Sequence, residues 1–228
     1  MTDSRPDREL PKVVLIGFNK CGTRSFTRLF ERAGHKAVHH KIRKPWRLRH
    51  NVAHMMRNNL AAGRKVFAGL EAYTFYSDLV YQTRRESFEG FRHFREILRD
   101  YPGTILVLNT RDREDWIRSR MRHGHGEFAT RVMHERGINS LEALAEAWRR
   151  DWDVHVADVR QHMADYPEQL VEFNLDTDPV HRLVHRLAAY GLRAEDWDDV
   201  GRSRDVERHP AVAQVKRLWS YIRWRASA

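Results

Sequence analysis

The chain has 228 residues, of which 41 are Lys or Arg and 31 are Asp or Glu, so its formal net charge is +10. Such a charge attracts polyanions over long distances, which suits an anionic ligand or a nucleic acid. Cys21 is the single cysteine, which excludes an internal disulfide, and no apolar run is long enough to span a bilayer. The first residues also lack the apolar core of a signal peptide. We therefore expect a cytoplasmic protein without a transmembrane segment.

The domain organisation predicted from this sequence is simple. Residues 1–11 are polar and include Pro6 and Pro11, so we expect a flexible lead-in there. No long Pro, Gly or Ser-rich linker and no internal repeat divides the remainder. A chain of this length can bury one sizeable core, so residues 12–228 are predicted to form a single domain.

The first predicted strand, at 12–17, leads through a glycine-bounded turn into a helix predicted at 23–33. Gly17 and Gly22 bound the turn, and Lys20 lies inside it. The backbone N–H groups of such a turn, together with the positive end of the helix dipole, bind phosphate or sulfate oxygens. The segment therefore predicts an anion-binding loop to which Lys20 adds a positive charge.

The spacing of this loop argues against a nucleoside triphosphate site. Gly17 and Gly22 match the two glycines of G-x-x-x-x-G-K-[ST], but the next two positions do not. Thr23 stands where that motif has its lysine, and Arg24 stands where it has the hydroxyl that binds Mg²⁺. A phosphotransferase that uses ATP therefore remains only as the alternative enzyme.

The rest of the chain alternates between strands and helices. We predict strands near 36–40, 65–70, 104–110 and 169–174, and helices near 47–62, 87–100, 112–122, 140–165 and 179–190. This order predicts an α/β fold of three layers, with a mostly parallel sheet between helices. Ligands bind such sheets at the carboxyl ends of the strands, so residues at those ends are the candidates for a site.

Titratable residues follow the second and third predicted strands. His39 and His40 close the second strand, and because neighbouring strand residues face opposite sides, we expect only one of them, preferably His40, to face the site. Glu71 and Asp78 follow the third strand, although Asp78 is also a candidate helix cap. Aromatic residues between them are candidates for a pocket lining: Tyr73, Phe75 and Tyr76. All four titratable residues are candidate general bases.

A second anion-binding pattern closes the strand predicted at 104–110. Arg111 ends this apolar run, and acidic residues begin the helix predicted after it, where they favour the helix dipole. Ser119 follows Arg111 by eight residues, about two helical turns. A phosphate that lies against this helix would therefore contact both side chains.

Together the two patterns resemble the phosphate motifs of the sulfotransferases that use 3′-phosphoadenylyl sulfate (PAPS), and bacterial sulfotransferase-like proteins in particular. These enzymes have a P-loop-like fold and need no metal. The resemblance implies transfer of a sulfuryl group from PAPS to a hydroxyl or amine, with PAP as the product. The acceptor is left open among carbohydrates, lipids and small molecules.

The resemblance also implies roles for individual residues. The 5′-phosphosulfate would be bound by residues of the loop: Lys20, Cys21, Gly22, Thr23, Arg24 and Ser25. Lys20 would also stabilise the bridging oxygen, while Arg111 and Ser119 would bind the 3′-phosphate. Relatives that act on polysaccharides carry a Glu near the second strand, and here that acid is missing. His40 or Asp78 is therefore expected to assist deprotonation of the acceptor, with His39 and Glu71 as alternatives.

The carboxyl-terminal part of the chain is strongly basic. The family often completes its nucleotide site with a late basic loop, for which residues 201–204 are the candidate. Residues 212–228 read as a basic amphipathic helix that we expect to dock on its own domain, with a second subunit or a membrane surface as alternatives. Basic residues interleaved with tryptophan are also typical of nucleic-acid modules, but no such motif is present, and no nucleic-acid partner is expected.

Overall fold

The computed structural model describes residues 10–43 and 49–199. Most of the lead-in predicted at 1–11 lies outside the described residues. The basic loop predicted at 201–204 and the helix predicted at 212–228 also lie outside them.

The strands of the described residues are short. In chain order they are β1 (Val13–Leu15), β2 (Ala37–His39), β3 (Lys41–Arg43), β4 (Arg49–Asn51), β5 (Phe75–Ser77), β6 (Val80–Gln82), β7 (Ser87–Glu89), β8 (Ile105–Thr110) and β9 (Leu170–Asn174). The α-helices are α1 (Thr23–Arg32), α2 (Val52–Ala61), α3 (Phe94–Asp100), α4 (Arg113–Met121), α5 (Glu127–Arg136), α6 (Leu141–His162) and α7 (Val180–Arg186).

A five-stranded parallel sheet forms the centre of the molecule, in the order β2-β5-β1-β8-β9. Val13 of β1 is in register with Phe75 of β5 on one side and with Ile105 of β8 on the other. Two antiparallel hairpins, β3-β4 and β6-β7, stand apart from this sheet. The carboxyl ends of all five central strands therefore meet at one edge, where the predicted anion-binding loop lies.

The central strand β1 is buried on both faces, as a strand of a covered parallel sheet must be. Val13 and Leu15 pack into a cluster that includes apolar residues of α1 and α7. Val14 and the following Ile16 pack into a second cluster that includes residues of α2 to α6. The sheet thus lies between two helical layers, which confirms the predicted three-layer α/β fold.

The third predicted strand, at 65–70, is wrong. These residues form successive turns, in which Ala68 N donates to Lys65 O at 2.9 Å and Leu70 N donates to Phe67 O at 2.8 Å. Their apolar side chains are buried, as in a strand, but Gly69 has a left-handed φ of 78°. The third strand of the sheet is instead β5, which lies between β1 and β2.

Two predicted helices have different starting points in the structure. The helix predicted at 47–62 begins at Val52, since residues 49–51 pair as a strand and Asn51 caps α2 by accepting from His54 N. The helix predicted at 87–100 is a strand, then a 3₁₀ turn, and becomes α-helical only at Phe94. Helix α5 and both hairpins were not predicted. The remaining predicted strands and helices are confirmed, with shifted ends.

Among the helices of the described residues, none combines the length and the apolar character needed to cross a membrane.

Candidate functional site

The loop after β1 is fastened to the neighbouring strand β8 by one side chain. Asn109 accepts a hydrogen bond from Gly17 N at 3.0 Å and donates one to Cys21 O at 2.8 Å, so it holds both ends of the loop. A Cβ at Gly17 would lie 1.9 Å from the Asn109 carbonyl oxygen. Only glycine therefore allows the loop to approach β8 this closely.

The first turn of α1 presents donors without side-chain acceptors. Gly22 is the N-cap, with a left-handed φ of 76°, and provides no side-chain cap. The N–H groups of Ser25 and Phe26 donate to Gly22 O. The N–H groups of Thr23 and Arg24, which begin the helix, have no acceptor within it. Together with the helix dipole, they form a cradle for an anion.

Lys20 lies inside this loop with a left-handed φ of 71° and is partly buried. Burial is the main cause that lowers its pKa, and the positive charges of Arg24 and Arg111 lower it further, while Asp78 opposes them. A bound anion would therefore relieve repulsion between three cations. Cys21 differs, because burial raises the pKa of its thiol to about 12, so it offers the loop a backbone group and not a thiolate.

A carboxylate lies between the two candidate histidines. The Oδ2 atom of Asp78 is 3.5 Å from His39 Nε2 and 3.8 Å from His40 Nδ1. His39 Nε2 is also 3.1 Å from the hydroxyl of Thr23 at the start of α1. These contacts join the ends of β2 and β5 to the anion cradle.

The expectation that only one of the two histidines faces the site is wrong. Strand alternation stops at His39, the last residue of β2, and His40 adopts a left-handed φ of 57°. Both rings therefore approach the same carboxylate. Asp78 is not a helix cap either, because strand β6 begins two residues after it.

Burial lowers the pKa of both histidines below 6.5, while Asp78 opposes the shift in each. Positive charge on Arg24 lowers the pKa of His39 further, and positive charges on Lys41 and Arg131 do the same for His40. Both imidazoles are therefore neutral near neutral pH. A neutral imidazole is the form that accepts a proton.

Backbone strain is concentrated in this cluster. Among the described non-glycine residues, four have a positive φ: Lys20, His40, Asp78 and His125. Such conformations cost free energy and tend to occur where function requires a fixed side-chain direction. The first three are the residues that the sequence predicted as catalytic.

The second predicted anion site lies at the end of β8. The Nη2 atom of Arg111 is 3.6 Å from Asp176 Oδ1 and 3.9 Å from Asp115 Oδ2. Its Nε is buried and has no hydrogen-bond partner among the described residues. Ser119 is buried on the inner face of α4, two turns along the helix. The arginine thus retains one donor for a further acceptor.

The family of the chain follows from its similarity to known proteins. Residues 12–152 match the family model of the sulfotransferase domain. The chain belongs to the sulfotransferase family. No curated protein matches the chain. The matched residues include the anion cradle, the His–Asp cluster, Arg111 and Ser119, so the geometry described above lies within the sulfotransferase domain.

One candidate base and three candidate lining residues lie away from the site of this sulfotransferase. Glu71 precedes β5, and its carbonyl accepts from Lys12 Nζ at 2.7 Å, at the amino-terminal edge of the sheet. The backbone carbonyl of Tyr73 accepts from the same ammonium at 3.1 Å. Phe75 stacks on Phe30 of α1, and Tyr76 is buried in the core. These roles were inferred from a third strand that the structure does not contain. The predictions of a base and of a pocket lining at these positions are therefore wrong.

The sulfotransferase site also contains residues that the sequence did not reveal. Asn51 donates to His40 Nδ1 at 3.4 Å and to Val80 O at 3.0 Å, so it ties His40 to β6. The pKa of His123 is lowered to about 4, mainly by burial and then by the charge of Lys20. The cap preference of Asn before an apolar run is the only sequence signal for Asn51. His123 gives none.

Within the described parts of the chain, no group of three or more His, Cys, Asp or Glu side chains is arranged to hold a metal ion.

Proposed function

We propose that this sulfotransferase takes its sulfuryl group from PAPS and transfers it to a hydroxyl or amine of an acceptor, with release of PAP. One observation carries the proposal. The anion cradle with Lys20 and the His39–Asp78–His40 cluster meet at the same edge of the sheet, joined by the contact between Thr23 and His39. An anionic donor and a proton acceptor are the two components that sulfuryl transfer requires.

Donor binding is assigned to the two anion sites. The N–H groups at the start of α1 would hold the 5′-phosphosulfate, and Lys20 would place its ammonium at the bridging oxygen, where negative charge develops. Arg111 and Ser119 would hold the 3′-phosphate. The buried Nε of Arg111, which has no partner in the described part of the chain, supports this assignment, because a buried donor without an acceptor is costly.

Proton removal is assigned to His40, with Asp78 as the group that stabilises its charged form. The Nδ1 side of His40 faces Asp78 and Asn51, whereas its Nε2 has no hydrogen-bond partner among the residues described. The Nε2 atom of His39 already contacts Thr23 and Asp78. His40 is therefore the better base.

The proposed step couples sulfuryl transfer to the loss of a proton from the acceptor. The acceptor O–H or N–H gives its proton to His40 as a bond forms between the acceptor atom and sulfur. The bond between sulfur and the phosphate oxygen breaks, and its electron pair stays on the phosphate of PAP. Lys20 stabilises that oxygen, and Asp78 stabilises the resulting imidazolium.

Ligand-dependent thermal stability tests the donor assignment without an acceptor. PAP should stabilise the protein by about 2.7 kcal/mol at a concentration of about 100 times its Kd, because it binds only the folded state. Mg-ATP should give a much smaller effect. Stabilisation by Mg-ATP alone would favour a phosphotransferase and contradict the proposal.

A pair of neighbouring arginines provides the matched control. Arg111→Gln should weaken PAP binding, since a charge-assisted hydrogen bond is lost. Arg113→Gln should not, because this exposed side chain is engaged with Asp153 at 2.7 Å and not with the site. Equal PAP affinities for the two variants would remove Arg111 from the donor site.

A further inference from the structure

Arg131 on α5 has no acidic partner among the residues that the structure describes. It is partly buried, its Nε is buried without a hydrogen-bond acceptor, and no carboxylate of the described residues is within ion-pair distance of it. Glu135 follows one turn later on α5, but it lies within ion-pair distance of Arg136 and not of Arg131. Arg131 therefore has unused donors.

Other arginines nearby show how unusual this is. Arg136, on the same helix, is 2.6 Å from Asp151, and Arg149 on α6 is 2.6 Å from Glu114. Arginine is expensive to desolvate, and partly buried examples are usually paired. A partly buried guanidinium without a partner is thus a position where an external anion would be stabilised.

The position of Arg131 follows from the packing of α5. This helix packs against β6, which begins at Val80, two residues after Asp78. The amide of Asn51 joins Val80 O to His40 Nδ1, so α5 lies on the same side as the proposed base. The charge of Arg131 lowers the pKa of His40 and of His123, which agrees with a location near both.

Arg131 also differs from the cations of the donor loop. The pKa of Lys20 is lowered by the charges of Arg24 and Arg111, which belong to the proposed donor side. The histidines around Arg131 are neutral because their pKa values are lowered. Lys41, the other cation that lowers the pKa of His40, is exposed, so Arg131 is the partly buried positive charge of the two.

We propose that Arg131 binds an oxyanion group of the acceptor, so that the substrate is an acidic molecule with a hydroxyl or amine to be sulfated. The planar fork of a guanidinium matches a carboxylate, sulfate or phosphate group. This contact would place the acceptor hydroxyl or amine at His40. The inference rests on the proposed function and adds the class of acceptor to it.

Paired acceptors test this class directly. Transfer from ³⁵S-labelled PAPS would be measured with hydroxylated carboxylic acids, sugar acids and sugar phosphates, and with the methyl ester, the amide or the neutral sugar that corresponds to each. Incorporation is expected in acidic members and not in their neutral counterparts. With the best acidic acceptor, Arg131→Gln should raise KM about tenfold or more, with a smaller change in kcat. Arg131→Lys should restore part of the loss.

The control is Arg85→Gln, which removes an exposed positive charge at the turn between β6 and β7. It should leave KM unchanged. Binding of PAP, followed by thermal shift, shows that each variant is folded and separates the two proposals. If PAP does not bind the wild-type protein, the proposed function fails. If PAP binds but no acidic member accepts sulfate, or neutral counterparts serve equally well, or Arg131→Gln keeps the wild-type KM, the acceptor class is wrong.

Discussion

The buried ion pair between Glu89 and Arg120 should contribute strongly to stability. The Nη2 atom of Arg120 donates to Glu89 Oε1 at 2.8 Å, and the two side chains are only 1% and 9% exposed. The guanidinium lies within 6 Å of four aromatic ring centroids, among them Trp116 at 5.1 Å and Trp148 at 4.8 Å. Arg92 gives Glu89 a second hydrogen bond, at 2.7 Å.

The pH dependence follows from the pKa of Glu89. Burial alone would raise this pKa, but Arg120 and Arg92 outweigh it and lower the pKa from 4.5 to about 2. At about 1.4 kcal/mol per pH unit, this difference corresponds to roughly 3 kcal/mol. Because the pKa is depressed in the folded state, the contribution is present above pH 4.5 and is lost as the pH falls towards about 2. Burial also lowers the pKa of Arg120, so part of the gain is offset.

Glu89→Gln should therefore destabilise the protein by about 3–5 kcal/mol near neutral pH, because it leaves Arg120 buried without a countercharge. The matched control is Glu172→Gln, which breaks an exposed pair with Arg160 and should cost less than about 1 kcal/mol. The free energy of unfolding would be measured by urea denaturation, with circular dichroism as the signal, at about pH 7 and about pH 3.

The difference between wild type and Glu89→Gln should shrink at the lower pH, because at about pH 3 the glutamate is protonated in the unfolded state while it is still largely ionised in the folded state. A loss at neutral pH no larger than that of Glu172→Gln would refute the reasoning. A loss that does not change with pH would show that the effect comes from packing and not from the charge.

Three further predictions concern the site. Gly17→Ala should unfold or displace the loop, because its Cβ would collide with the carbonyl of β8. Gly34→Ala carries only the strain of a positive φ of 85°, since its Cβ meets nothing within 4 Å, so a melting temperature and PAP affinity of Gly17→Ala equal to those of Gly34→Ala would contradict this. Lys20→Ala should abolish sulfuryl transfer in the radiolabel assay while some PAP binding remains, and full turnover would remove its role. In NMR titrations, His40 should have a midpoint below 6.5 that Asp78→Asn moves still lower, since Asp78 raises this pKa; an upward movement would reverse the assigned interaction.

Local patterns were enough to predict the local structure of the two candidate anion sites. The cradle from Gly17 to Ser25 is a continuous segment, and its strand, turn and helix follow from glycine positions and β-branched residues. Arg111 could be placed because a long apolar strand ends directly before it. In both cases the residues that form the feature are neighbours in sequence, so no long-range packing had to be known.

Strand β5 shows why the sheet was only partly predictable. It has three residues, of which the buried Ser77 is polar, so its apolar run is only two residues long. The hydroxyl of Ser77 is satisfied by Thr27 of α1, 2.8 Å away, and by Val38 O. The apolar segment at 65–70 imitates a strand more closely, yet it is buried through turns. The difference arises from tertiary partners, which a local pattern does not contain.

The acceptor side was the least predictable part. Asn51 and Arg131 come from segments far apart in the chain; Asn51 donates to His40 Nδ1, and the charge of Arg131 on α5 lowers the pKa of His40. His40 adopts a left-handed φ although it is not a glycine, so the sequence does not indicate this turn. Two histidines that strand geometry would separate are thereby brought to one carboxylate.

The position of Asn109 affects which nucleotides the proposed donor site would accept. It fastens the loop at Gly17 and Cys21, and it stands only two residues before Arg111 on the same strand. The loop and the arginine therefore move together, and the spacing between their two anion sites is as rigid as the sheet itself. With the proposed donor, the protein would select nucleotides by the distance between their 5′ and 3′ phosphates. Nucleotides whose second phosphate is on the 2′ oxygen, or is absent, would bind poorly whatever their base, because they cannot occupy both anion sites at once.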